Sequence, residues 1–220
     1  TSATFVPKSV NVDVTYEARG IRTINSYTIT VSSQYRDTDG TGNYTTGTSG
    51  GSGSGGGVGD YGTKKTLTAA PATGYIFDGW YDSSGTRVST SSSYEVTISG
   101  NATYYARFTK RYFTITYSSG NYIKSLTRAS ERVAYNGTAL GSTMTVLDTT
   151  AQYSYGVDGW FIGTTRQNST AASPIAKNVT SDITYIAQGT RTLRSYVITY
   201  NKGVNIASVS RASETVNYGS

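Results

Sequence analysis

The chain contains no cysteine and no histidine. Disulfides, thiolate chemistry, Cys/His zinc sites and imidazole acid–base catalysis are therefore excluded together. Proline is limited to 3 residues and methionine to 1; leucine and alanine-rich runs are also sparse, which leaves little from which to build a helix bundle. Only 15% of residues are charged, and the 19 basic and 13 acidic residues are dispersed. Lys64-Lys65 and Lys110-Arg111 are the only adjacent basic pairs. A net charge of +6 spread this thinly describes a mildly basic surface, without the dense stripe that nucleic acid requires. No run approaches the roughly 20 apolar residues that span a bilayer, so no membrane insertion is expected of this segment. No signal peptide is visible, and the pattern starts in mid-stride; the lack of cysteine is compatible with export.

Abundance points one way. Glycine reaches 25 residues and tyrosine 20, with serine, threonine and asparagine filling much of the remainder. Tyrosine and β-branched threonine suit a pleated, half-buried surface. The 220 residues are enough for one large domain or two small ones, and internal repetition decides for small units.

The repetition is organised around Gly74-Tyr75-Ile76-Phe77-Asp78-Gly79-Trp80-Tyr81, which returns altered as Tyr155-Gly156-Val157-Asp158-Gly159-Trp160-Phe161. These copies hold both tryptophans of the chain. Val14-Thr15-Tyr16-Glu17-Ala18, Ala102-Thr103-Tyr104-Tyr105-Ala106 and Ile183-Thr184-Tyr185-Ile186-Ala187 read as closing strands of one type, because their alternation gives one buried face. Tyr27-Thr28-Ile29-Thr30, Phe113-Thr114-Ile115-Thr116 and Tyr196-Val197-Ile198-Thr199 read as opening strands. Residues 123–135 match residues 206–218 without a gap, both containing Arg-Ala-Ser-Glu. The spacing predicts closing strands of a preceding repeat over 1–24, complete repeats over 25–110 and 111–193, and the opening strands of a truncated third repeat over 194–220. Strand patterns at both ends without complete units predict pairing with neighbouring units or with another chain.

Within the first complete repeat, residues 36–59 contain the tract Thr48-Ser49-Gly50-Gly51-Ser52-Gly53-Ser54-Gly55-Gly56-Gly57. Few side chains and a high ordering entropy predict a mobile hairpin insertion. Further on, Tyr94, Val96 and Ile98 alternate as in a strand, and Gly100-Asn101 signals a turn. The second repeat has Ser173-Pro174 in that region, which favours an edge position.

Candidate chemistry is sparse. Trp80 and Trp160, flanked by Tyr81 and Phe161, suit either sugar stacking or the central core of a small unit; core anchoring is the stronger reading, with Phe77, Tyr104, Tyr185, Ile115 and Ile198 beside them. Asp78 and Asp158 have no second acid repeating in register, as a carboxylate pair would need, so an Asx-type turn is expected. Asp37-Thr38-Asp39-Gly40 resembles the start of a calcium loop, but Thr48 stands where the twelfth-position acid belongs. Arg128 and Arg211, each followed by Glu131 or Glu214, suit a binding face or a surface ion pair. Lys64, Lys124 and Lys177 are candidates for a Lys–Asn isopeptide crosslink.

The segment Gly74–Tyr81, followed by Ser89-Thr90-Ser91-Ser92-Ser93-Tyr94-Glu95-Val96-Thr97-Ile98-Ser99-Gly100-Asn101-Ala102-Thr103-Tyr104-Tyr105-Ala106-Arg107-Phe108, resembles the InlB B-repeat group, also called Listeria–Bacteroides repeats, in its divergent form. The second repeat departs from the pattern: Tyr155-Gly156 is reversed, and Gly189 replaces the closing aromatic. The resemblance implies small β-rich domains of β-grasp-like arrangement, in tandem on bacterial cell-surface proteins, serving as stalks or interaction modules.

The fold expected is therefore mainly β: tandem small repeats, β-grasp-like or small β-sandwiches, with little helix. The expected function is a non-enzymatic spacer or adhesion-type module of an extracellular bacterial protein, with no catalytic residue, metal or cofactor. Its expected partners are neighbouring repeats and a host or cell-surface protein or glycan. The alternative is a glycan- or protein-binding module using exposed tyrosines and tryptophans, with Tyr81, Phe161, Arg128 and Arg211 as candidate binding residues.

Overall fold

The computed structural model describes residue 9, residues 11–17 and residues 19–220. Among them there is no helix. The strands fall into two similar units and a terminal hairpin.

The first unit contains β1 (Ser26–Arg36), β2 (Thr45–Thr46), β3 (Gly51–Ser54), β4 (Gly57–Asp60), β5 (Lys64–Pro71), β6 (Tyr75–Tyr81), β7 (Arg87–Ser89), β8 (Ser93–Thr97) and β9 (Ala102–Lys110). Its opening strand β1 lies parallel to its closing strand β9, from Ile29 opposite Ala102 to Arg36 opposite Thr109. β4 borders β1, and β6 borders β9, both antiparallel. The sheet order is β4-β1-β9-β6-β7, with β2 against the end of β1. This mixed order is β-grasp-like, and a small sheet β3-β5-β8 supplies the second layer. Between the layers sit Ile29, Leu67, Ala69, Trp80, Val96, Ile98, Ala106 and Phe108. They come from alternate positions of β1, β5, β6 and β9 and from β8 with the residue just after it, as a two-residue side-chain period requires.

The second unit repeats the plan with β10 (Tyr112–Ser119), β11 (Ile123–Leu126), β12 (Ser130–Ala134), β13 (Met144–Val146), β14 (Tyr153–Ile162), β15 (Thr165–Asn168) and β16 (Ile183–Leu193). Its order is β12-β10-β16-β14-β15, again with opening and closing strands parallel. The β11–β13 pair occupies the place of β3–β5. No strand corresponds to β8: the segment around Pro174 is irregular, and one isolated bridge, Thr143 to Ala172, stands in for the third strand. Ala176 and Val179 still reach the core.

The Gly/Ser tract corrects the expectation of a mobile insertion. It forms β3 and leads into β4. Its glycines are there because backbone lies directly on the core. A Cβ on Gly53 would come within 2.9 Å of Ala106 Cβ and 3.1 Å of the Trp80 ring, and one on Gly59 within 2.4 Å of Ile98 Cδ1. The packing is supplied by neighbours, so the absence of side chains permits order instead of preventing it.

The terminal hairpin consists of β17 (Ser195–Thr199) and β18 (Ser213–Asn217). It matches β10 and β12, but no described strand lies beside it as β16 lies beside β10. Ile198 is accordingly 41% exposed, which corrects its placement in a core: it lacks the closing strand that covers Ile115. Residues 1–8, 10 and 18 of the expected closing strands lie outside the described residues. Residues 11–17 and 19–25 form no strand, because no described opening strand runs beside them.

Candidate functional site

The Asp-Gly-Trp motif sits inside a strand, not at a turn. In β6 the register against β9 slips between Phe77 and Gly79, and in β14 it slips against β16 between Val157 and Gly159. Each aspartate is the extra residue of a β-bulge, which swings it away from the core face. Trp80 and Trp160 point inward and are fully buried. Around them lie Phe77 and Tyr104 in the first unit and Ile115 and Tyr185 in the second. The Phe77 ring meets Trp80 edge-on at 5.9 Å, and Tyr117 meets Trp160 likewise at 5.8 Å. Two fully buried indoles offer no face to a sugar.

The aspartates serve different partners. Asp78 accepts hydrogen bonds from the Tyr44 hydroxyl at 2.5 Å and from Thr109 Oγ1, with Arg36 at 3.9 Å. Asp158 pairs with Arg166. Above Asp78, the guanidinium groups of Arg36 and Arg107 lie 4.6 and 4.8 Å from the Tyr44 ring centre, and Arg107 also lies 4.2 Å over Tyr81. Burial, then the bond to Asp78, pushes the Tyr44 hydroxyl above its ordinary value. Phe161 lies under Arg166 at 5.6 Å. Tyr81 and Phe161 thus meet arginines of their own units. The sequence signal for this cluster is weak, because Tyr44 comes from the loop after β1, far from Asp78 in the chain.

Arg128 and Arg211, paired in the sequence reading, behave differently. Arg211 pairs with Glu214. Arg128 instead donates to the Gly141 carbonyl at 3.2 Å. Glu131 accepts from the amides of Leu140 and Gly141, both at 2.9 Å, and from the Tyr117 hydroxyl at 2.7 Å. It therefore ties β12 to the loop before β13 and to the core tyrosine. Tyr200 makes the same bond to Glu214 in the terminal hairpin. The glutamate of the repeated Arg-Ala-Ser-Glu thus fastens the fold in both hairpins.

Burial alone would raise the Glu131 carboxyl, but the two amides and the Tyr117 hydroxyl outweigh it and hold it below its ordinary value. Stability from Glu131 is then fully present above the free glutamate value of about 4.3 and is lost as pH falls through the lower folded value. Tyrosines set the opposite limb. Burial and the bond to Asp37 push Tyr75 up to about 12, so its contribution is complete below about pH 10 and is lost as pH rises toward that value. Urea melts across pH are expected to show both limbs, and Glu131→Gln should flatten the acid limb of the second unit alone. An unchanged acid limb in that variant would reject the assignment.

Asp37 and Asp39 are already engaged by protein cations and hydroxyls: Asp37 by Tyr75 and by Lys110 at 3.6 Å, Asp39 by Arg132 at 2.7 Å. Lys64 and Lys124 form exposed pairs with Glu95 and Asp148, both at 2.6 Å. Neither lysine is next to an asparagine in the buried, apolar setting that amide formation would need.

Residues 42–111 match the divergent InlB B-repeat domain. The InlB B-repeat family is typically associated with bacterial cell-surface proteins. No curated protein and no solved structure matches the chain. The InlB B-repeat match covers β2 to β9, and the second unit reproduces the same sheet order and the same bulge at its own Asp-Gly-Trp.

Proposed function

We propose that this chain is a load-bearing spacer of an extracellular bacterial surface protein, in which non-enzymatic repeats hold other parts of the molecule away from the cell. One observation carries the reading. In each unit the first and last strands of the main sheet are parallel neighbours, β1 with β9 and β10 with β16. Tension entering at Ser26 and leaving at Lys110 runs along both strands in opposite senses. Their ladder is then loaded in shear, with many hydrogen bonds stretched together instead of one after another. Consecutive units are joined by single residues, Arg111 between β9 and β10 and Arg194 between β16 and β17. Tension passes from one clamp to the next with little slack.

Single-molecule pulling tests this. End-to-end tension should give successive ruptures, each releasing roughly 300 Å of chain. Pulling the first unit through attachment points at Ile76 and Thr109, an antiparallel pair at one end of β6 and β9, should unzip it at clearly lower force. End-to-end rupture at or below the unzipping force would sink the spacer reading.

A further inference from the structure

The two junctions share a backbone plan. At the first, the Arg111 amide donates to the Gly74 carbonyl at 2.7 Å, and its carbonyl accepts from the Tyr135 amide at 2.8 Å. At the second, the Arg194 amide donates to the Gln152 carbonyl at 2.9 Å, and its carbonyl accepts from the Tyr218 amide at 2.9 Å. Arg111 and Tyr135 align with Arg194 and Tyr218 in sequence.

Among the described residues, only the first junction adds an ion pair. Residues 37–43 of the first unit reach over onto the hairpin of the second. Arg132 Nε and Nη2 donate to the two carboxylate oxygens of Asp39, at 2.7 Å each, and Tyr112 donates its hydroxyl to the Asp37 carbonyl at 2.7 Å. Both ends of this contact are braced. The Asp37 carboxylate is held by Tyr75 and Lys110 of its own unit, and Arg132 also donates to Thr114 Oγ1 at 3.0 Å. A two-pronged guanidinium–carboxylate pair fixes direction as well as distance. A single point contact between charges would leave the second unit free to rotate.

The second junction has neither half of this device. Between β10 and β11 only residues 120–122 stand where the first unit has 37–50 between β1 and β3. The position aligned with Arg132 is Thr215. The side-chain bonds crossing this junction, from Arg194 to the Thr150 carbonyl at 2.9 Å and from Tyr196 to the Ala151 carbonyl, reach backbone acceptors only.

We propose that the 37–43 loop is a docking socket for the next repeat, specific for one with arginine at the Arg132 position. The socket makes the Arg111 junction rigid, and its absence makes the Arg194 junction a hinge. This inference rests on the spacer reading and adds where the spacer bends.

Residual dipolar couplings on the full 220-residue chain test it. One alignment tensor should fit residues 26–110 and 112–193 together, while residues 195–217 need their own. Arg132→Thr and Asp39→Asn should each split the first pair into two tensors, and so should high salt, since this pair is about half exposed. The charge reversal Asp39→Arg with Arg132→Asp should restore the single tensor. Separate tensors for the two units in the unaltered chain would overturn the socket, as would a single tensor surviving in Arg132→Thr. Amide spectra of each variant show whether both units stay folded. Rupture forces within units depend on the parallel clamps and not on Arg132, so failure here leaves the pulling result intact, and the reverse also holds.

Discussion

Trp160→Ala is expected to cost about 3–5 kcal/mol and to unfold the second unit while leaving the first folded. The indole is fully buried in a cluster with nine other buried residues, and Tyr117 meets it edge-on. A unit of this size holds only a few kcal/mol in reserve, so the loss consumes most of it. The remaining tryptophan makes the experiment self-reporting. In Trp160→Ala, fluorescence follows Trp80 and hence the first unit, whose urea midpoint should hardly move; circular dichroism should show the separate, earlier transition of the second. In Trp80→Ala the roles reverse. A second unit that melts within ~0.5 kcal/mol of its original value would refute the core role. The conservative change separates the tryptophans further. Trp160 Nε1 donates to the Ala171 carbonyl at 3.0 Å, whereas Trp80 Nε1 is buried with no partner among the described residues. Trp160→Phe removes one of two hydrogen bonds to that carbonyl, which the Met144 amide still satisfies at 2.9 Å, and so costs about 0.5–1.5 kcal/mol, a loss Trp80→Phe does not incur.

The second large effect lies one residue earlier. Gly79 and Gly159 hold φ of 141° and 144° within the bulge, a region that side-chain-bearing residues avoid. A Cβ on Gly159 would lie 1.9 Å from the Asn168 carbonyl oxygen, and one on Gly79 2.6 Å from that of Ser89. Alanine at either position adds backbone strain of about 1–3 kcal/mol. It also forces the neighbouring strand outward, an overpacking cost of about 1–3 kcal/mol more. Gly159→Ala is expected to be the worse of the two, because its backbone obstacle is closer. Urea melts read through the adjacent tryptophan measure the loss, and amide exchange should show β15 released from β14. Protection of β15 equal to that of the unaltered protein would show that the bulge tolerates a side chain and that the motif's glycine is not required by sterics.

Much of the architecture was legible in the sequence because the units repeat. Alternation in 102–108 and 183–187 marks the closing strands, and the match of 123–135 to 206–218 marks equivalent hairpins. What escaped had a common cause: it depends on neighbours distant in the chain. The Gly/Ser tract reads as loose by composition, yet Gly53 is glycine because Ala106 and Trp80 press against it. Ile198 carries the same local pattern as Ile115, and only the missing parallel neighbour leaves it exposed. Asp78-Gly79 has turn chemistry, but the strands β7 and β9 on either side keep it extended as a bulge. Glu131 follows Arg128 at pair spacing, while its actual partners, Tyr117 and the 140–141 amides, come from separate segments. The substitution of Gly189 for the aromatic at Phe108 was visible, but its compensation was not. Tyr122, in the left-handed region at φ 60°, lays its Cβ 3.2 Å from where a Gly189 side chain would begin.

That parallel pairing of first strand with last has a consequence during synthesis. A unit emerging from the ribosome exposes its opening hairpin early but cannot seat it until the closing strand, some seventy residues later, has been made. In a tandem array the strand that arrives next need not be the right one, and exchange between similar neighbours is the characteristic error of such proteins. The two closing strands here are not interchangeable. Phe108 delivered to the second unit would meet Tyr122, and Gly189 delivered to the first would leave a hole beside Phe77. Divergence of this kind between adjacent copies would disfavour a hairpin seating its neighbour's strand while the chain is still being made.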